Sequence, residues 1–153
     1  MPDLPLRIAI LECDSPLDGT RAKYGSYGGV FTSLLQAAAV ASEIPTTSLS
    51  ISTYDVVTAQ VYPSLDDIDG VLLSGSRHNS FEDEPWILKL VEFTKQVLEQ
   101  RRVRIIGVCF GHQIVGRSMG AKVARSDKGW ETSVTAVDLT KRGQEMFEKT
   151  ALV

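Results

Sequence analysis

Three short apolar runs constrain the fold more than any other feature: "LRIAILEC" (6–13), "DGVLLSGS" (69–76) and "VRIIGVC" (103–109). They are continuous rather than alternating, the pattern of strands covered on both faces. Helical patterns lie between them. In "DEPWILKLVEFTKQVLEQ" (83–100), Ile87, Leu90, Val91, Thr94, Val97 and Leu98 share one face. Pro85 suits its first turn, where a missing N–H costs nothing. Residues 30–42 set Phe31, Leu34, Leu35 and Ala38 at helical spacing. "SLSISTYDV" (48–56) is β-branched and predicts another strand. Residues 14–29 read as a long polar loop, and 111–120 as a short helix ending at Gly120. "AKVAR" (121–125) and "TSVTAVDL" (132–139) predict further strands, and 140–150 a last helical turn or two capped by Thr140. Strand and helix alternate, which predicts a doubly wound, mostly parallel α/β sheet in a single domain over residues 1–153. In such sheets ligands bind beyond the carboxyl ends of the strands. That singles out the loops at 12–28, 74–82 and 107–113.

Composition removes several function classes. The net charge is −3 and the basic residues are scattered, which argues against a nucleic-acid partner. The one basic cluster, "RRVR" (101–104), reads as a solvated helix end leading into a strand. No apolar run approaches the roughly 20 residues of a membrane span, and the N-terminus lacks a secretory pattern. With two histidines and two cysteines, dispersed, no metal or organic cofactor is expected. Glu82, Asp83 and Glu84 read as an acidic helix start and not as a metal site. "YGSYGG" (24–29) lacks the Gly-Lys-Ser/Thr ending of a phosphate loop, and is either pocket lining or surface loop. Cys13 and Cys109 are expected as free thiols in a reducing compartment, the cytoplasm, with Cys13 a buried small residue.

Cys109 is the candidate nucleophile. It stands between Gly107 and Gly111 in "GVCFGHQ" (107–113), where a buried strand should turn into a helix. A nucleophile elbow demands small residues two positions either side, because strand and helix backbones approach closely there. The N-terminus of a helix favours negative charge and so raises the thiolate fraction of a cysteine placed on it. The N–H of Phe110 would then point to the place where an oxyanion forms, with a second donor from the loop at Gly75. Two other readings of the same residues stay open: a buried cysteine whose glycines merely allow close packing, and a redox-sensing thiol.

"GVCFGHQ" resembles the elbow of the class I glutamine amidotransferases, Gly-x-Cys-x-Gly-x-Gln. "DGVLLSGSRHNSFEDEPWILKLVEF" resembles the third strand, oxyanion loop and following helix of their stand-alone members, the fungal GMP-synthase-like amidotransferases and the plant γ-glutamyl peptidases. "GWETSVTAVDLTKRGQEMF" resembles the segment beginning "GWE" of the same subgroup. The resemblance implies a flavodoxin-like fold and cysteine chemistry on a small molecule, glutamine or a γ-glutamyl peptide. Cys109 would form a γ-glutamyl thioester, the N–H groups of Gly75 and Phe110 would hold the oxyanion, and Gln113 and Ser76 would line the substrate pocket. It also implies a His-x-Glu pair that supplies the base. Neither His78, in the oxyanion loop, nor His112, on the elbow helix, stands in that pattern. The chain therefore reads as an incomplete domain, truncated at its C-terminal end. The expected consequences are dimerisation, a complementing chain, or marginal stability from exposed apolar surface. An inactive binding or regulatory protein on the same fold is the alternative function. Glu131 of "GWE" is expected to be structural.

Overall fold

The computed structural model describes residues 5–127, 129 and 134–152. Four parallel strands form the main sheet: β1 (Leu6–Glu12), β2 (Leu49–Asp55), β3 (Gly70–Leu73) and β4 (Arg104–Gly107), in the order β2-β1-β3-β4. The chain leaves β1 through α1 (Asp18–Tyr24) and α2 (Tyr27–Ala41) to reach β2 on one side. It then crosses to β3 on the other side of β1, and passes through α3 (Pro85–Gln100) to β4. The winding reverses between β1 and β3, so the loops after these two strands diverge and leave a crevice at the carboxyl edge.

Side chains alternate between the two faces. Ala9, Leu11 and Cys13 of the β1 region, Val71 and Leu73 of β3, and Ile105 of β4 join α3 and α4 (Phe110–Ser118) in the larger core. Ile10 and Leu72 meet Phe31 of α2 on the opposite face, with Tyr27, Leu35, Ile51 and Val108 packed around them. Only the central strands are covered on both faces: β2 is mostly exposed, and on β4 Ile106 is 56% exposed. On α3 the buried stripe contains Ile87, Leu90, Val91, Thr94 and Val97 as expected, widened by Trp86 and Phe93, while Leu98 is half-buried.

Two sequence expectations need correction. Residues 14–29 are mostly helical, because Asp18–Tyr24 forms α1 and Ser26, whose hydroxyl accepts from the Gly29 N–H, opens α2 three residues early. "AKVAR" forms no strand, and among the described residues of "TSVTAVDL" (134–139) only β5 (Val137–Asp138) is one, paired antiparallel with β6 (Ala151–Leu152) in a separate small sheet. Both tracts have β-branched residues, but among the described residues no strand of the main sheet pairs with them. Between β5 and β6 lies α5 (Lys141–Phe147), with the Thr140 hydroxyl accepting from the Gly143 N–H at its start as expected. The basic cluster is partly structural: Arg102 donates to the carbonyls of Ile68 and Leu65 and reaches Asp69.

Candidate active site

Cys109 joins β4 to α4 with φ 51° and ψ −107°, a conformation that non-glycine residues rarely adopt. Strain of this kind costs about 1–3 kcal/mol and persists only where the surroundings hold it. The surroundings here are two glycines. A Cβ on Gly107 would lie 2.5 Å from the His112 nitrogen, and one on Gly111 would lie 2.5 Å from the Leu73 carbonyl oxygen. Val108 N–H donates to that same carbonyl at 3.0 Å, so the turn is pressed onto the end of β3. Phe110 is buried and stacks on Trp86 with ring centroids 5.6 Å apart, anchoring the first residue of α4 from below. Cys109 itself is exposed.

The loop after β3 lies beside this turn. A Cβ built on Gly75 would stand 3.8 Å from Cys109 Cβ. The loop continues through Ser76, Arg77, His78, Asn79 and Ser80, which with Cys109 and Gln113 line a cavity of about 660 Å3. Residues 123–126 and Gly129 close its far side. Ser76 accepts from the His78 N–H at 3.1 Å. Ser80, buried, donates its hydroxyl to Gln113 Oε1 at 2.8 Å, which fixes the side-chain amide of Gln113 at the cavity wall. Arg117, one turn further along α4, donates to the carbonyls of Ser80 and Glu82 and pairs with Asp83.

Two further ties join the loop to the end of β1. Asp14 accepts from the Arg77 backbone N–H, Nε and Nη2 at 2.7, 3.0 and 2.9 Å. Burial acts to raise the Asp14 carboxyl, but the Arg77 hydrogen bonds overcome it and hold the group at about 2. The second tie is Ser74, whose hydroxyl accepts from the Cys13 N–H at 2.8 Å and donates to the Gly75 carbonyl at 2.9 Å. Cys13 is wholly buried, and that burial pushes its thiol up to about 12.

The sequence-derived candidates Cys109, Gly75, Phe110, Gln113, Ser76, Gly107 and Gly111 thus converge on one cavity mouth and its supporting turn. The tyrosine–glycine tract does not join them: Tyr27 packs on the α2 core, and Gly25 and Ser26 line a separate cavity with Glu12 and Asp14. His78 is half-buried at the cavity wall, with Nδ1 3.5 Å from Glu84 and its ring edge-on to Trp86. His112 is exposed on α4. Trp130 and Glu131 lie outside the described residues. Glu82, Asp83 and Glu84 are spent on Asn79, Arg117 and Trp86, and no cluster that could hold a metal ion occurs among the described residues. No described helix is long and apolar enough to cross a membrane.

Sequence reasoning missed Arg117, Ser80, Asp14 and Arg77. Arg117 had a signal, because its spacing of four from Gln113 sets it on the same helix face. The Asp14–Arg77 pair, 63 residues apart, has none.

Comparison with known proteins places these observations. The model of the glutamine amidotransferase class-I family matches residues 26–151. A glutamine amidotransferase-like protein of Schizosaccharomyces pombe is 39% identical over 92% of this chain and 58% of its own length. Gamma-glutamyl peptidase 4 of Arabidopsis thaliana is 35% identical over 77% of this chain and 44% of its own. The chain thus spans about half the length of the curated relatives it matches. A glutamine amidotransferase structure from Thermotoga maritima superposes with a TM-score of 0.70 at 16% identity, covering 97% of this chain and 58% of that one.

Proposed function

This chain belongs to the class-I glutamine amidotransferase family, and we propose that it bears the nucleophile and oxyanion side of a site that cleaves γ-glutamyl amides. The observation that carries the reading is the exposed Cys109, held at positive φ at the start of α4, with the Gly75 loop beside it at the mouth of the cavity. The substrate class comes from the relatives, which are named as glutamine amidotransferase-like proteins and gamma-glutamyl peptidases.

In this reading the Cys109 thiolate adds to the side-chain carbonyl of glutamine or of a γ-glutamyl peptide. The carbonyl oxygen becomes an oxyanion that accepts from the N–H groups of Phe110 and Gly75. Collapse breaks the C–N bond, and ammonia or an amine leaves with a proton. Water then adds to the thioester, which releases glutamate and returns the thiol. Gln113 and Ser76 would meet the substrate's polar groups. The reaction needs a group to accept the thiol proton, and neither His78 nor His112 stands in the family's His-x-Glu pattern. The free thiols suit a reducing compartment such as the cytoplasm.

Covalent labelling tests the reading. A glutamine-mimicking chloromethyl ketone should modify Cys109, glutamine should protect it, and Cys109→Ser should abolish the label. Modification of Cys109 by iodoacetamide but not by the glutamine mimic would overturn the substrate assignment.

A further inference from the structure

We propose that Ser74 is a positioning residue: its hydroxyl locks the Gly75 peptide beside Cys109 so that donors, not a carbonyl, face the nucleophile. The proposal rests on the functional reading above for its consequence in catalysis. It rests on geometry for the lock itself.

Ser74 is wholly buried at the carboxyl end of β3, and its own N–H donates to the Leu11 carbonyl at 3.1 Å. The Cys13 N–H, 2.8 Å away, occupies a lone pair of its hydroxyl oxygen. The hydroxyl proton is directed to the Gly75 carbonyl, 2.9 Å away. The hydrogen-bonded ring closed in this way contains the whole 74–75 peptide, whose N–H is the expected oxyanion donor. It also holds the Gly75 C=O against Ser74. Because C=O and N–H point in opposite directions across a planar trans peptide, the Ser76 N–H is turned the other way. Gly75 needs such a lock. Without a Cβ its backbone has wide freedom, and a Cβ built on it would stand only 3.8 Å from Cys109 Cβ. Rotation of that peptide would reverse the dipole presented to a developing oxyanion. The Cys13 N–H makes the lock span the β1–β3 crevice, so β1 contributes to the site without lending a side chain to the cavity.

The test compares wild type with Ser74→Ala in three readouts: amide NMR, alkylation by iodoacetamide, and release of p-nitroaniline from γ-glutamyl-p-nitroanilide. The lock predicts that the Gly75 and Ser76 amide signals shift or broaden in the variant and that the Cys13 amide exchanges faster. Alkylation, which needs no oxyanion donor, stays within about two-fold. The kcat for p-nitroaniline release falls by about 10–100-fold, part of the cost of losing one oxyanion donor, while KM holds within about two-fold. Unchanged Gly75 and Ser76 signals would overturn the lock, as would an equal fall in alkylation and turnover, which marks general loosening. A wild-type protein that is alkylated by iodoacetamide but not by the glutamine-mimicking chloromethyl ketone sinks the functional reading instead, and the amide signals still decide the lock.

Discussion

The two cysteines stand at the carboxyl ends of strands in one sheet, yet share almost nothing else. Cys13 follows β1 directly, wholly buried, its thiol pushed up to about 12 by that burial. Cys109 sits past β4 at positive φ, exposed, between two glycines pressed onto neighbouring backbone. The residue type is constant, so backbone conformation and burial separate an inert core thiol from a candidate nucleophile. What Cys13 offers the site is its N–H, through Ser74.

The largest effect that would break this contrast is on chemistry. Cys109→Ser should lower modification by the glutamine-mimicking chloromethyl ketone by about 10³-fold or more, since the hydroxyl lacks the thiol's nucleophilicity, whereas Cys13→Ala should leave it within a few-fold. Next comes the labelling rate. At pH 8 iodoacetamide should react with Cys109 at least about 100-fold faster than with Cys13, because a buried thiol reacts only after local opening. Peptide mapping after timed quenches reads both sites, and comparable rates would end the contrast.

Stability sharpens it further. Gly111→Ala would put a methyl 2.5 Å from the Leu73 oxygen and should cost about 2–3 kcal/mol by denaturant melt. Cys109→Gly should stabilise the fold by about 1 kcal/mol by relieving positive φ, while abolishing the label. A destabilised Cys109→Gly would mean that the turn is not strained. The smallest effect concerns Asp14. Its carboxyl is at about 2 in the folded chain and near 3.9 when unfolded. Its stabilisation is therefore complete above about 3.9 and lost as pH falls toward 2. Arg77 is 70% exposed, so Asp14→Asn should cost less than about 1 kcal/mol. Melting temperatures of wild type and variant should converge as pH drops from 6 to 2.

Much of this was legible in the sequence. Continuous apolar runs gave the central strands, and the glycine spacing gave the turn, because both are local demands on backbone and burial. The start of α2 is hidden in the sequence because its cap, Ser26, sits in a polar, glycine-rich tract that has the composition of a loop. "AKVAR" reads as a strand yet forms none, because local β-propensity expresses willingness, not the presence of a neighbouring strand. The ties that shape the cavity loop, Asp14 with Arg77 and Ser80 with Gln113, join residues far apart in the chain and leave no local periodicity.

β3 and β4 pair in parallel with Leu73 opposite Gly107, and Leu73 also carries the turn. That pairing works as a gauge block. A slip of one residue would carry the turn about 3.3 Å along the strand and present every side chain to the wrong face. No intermediate setting exists between a seated and an unseated Cys109. Damage to this strand pair should therefore thin out the population of competent molecules and leave each survivor with its reactivity intact.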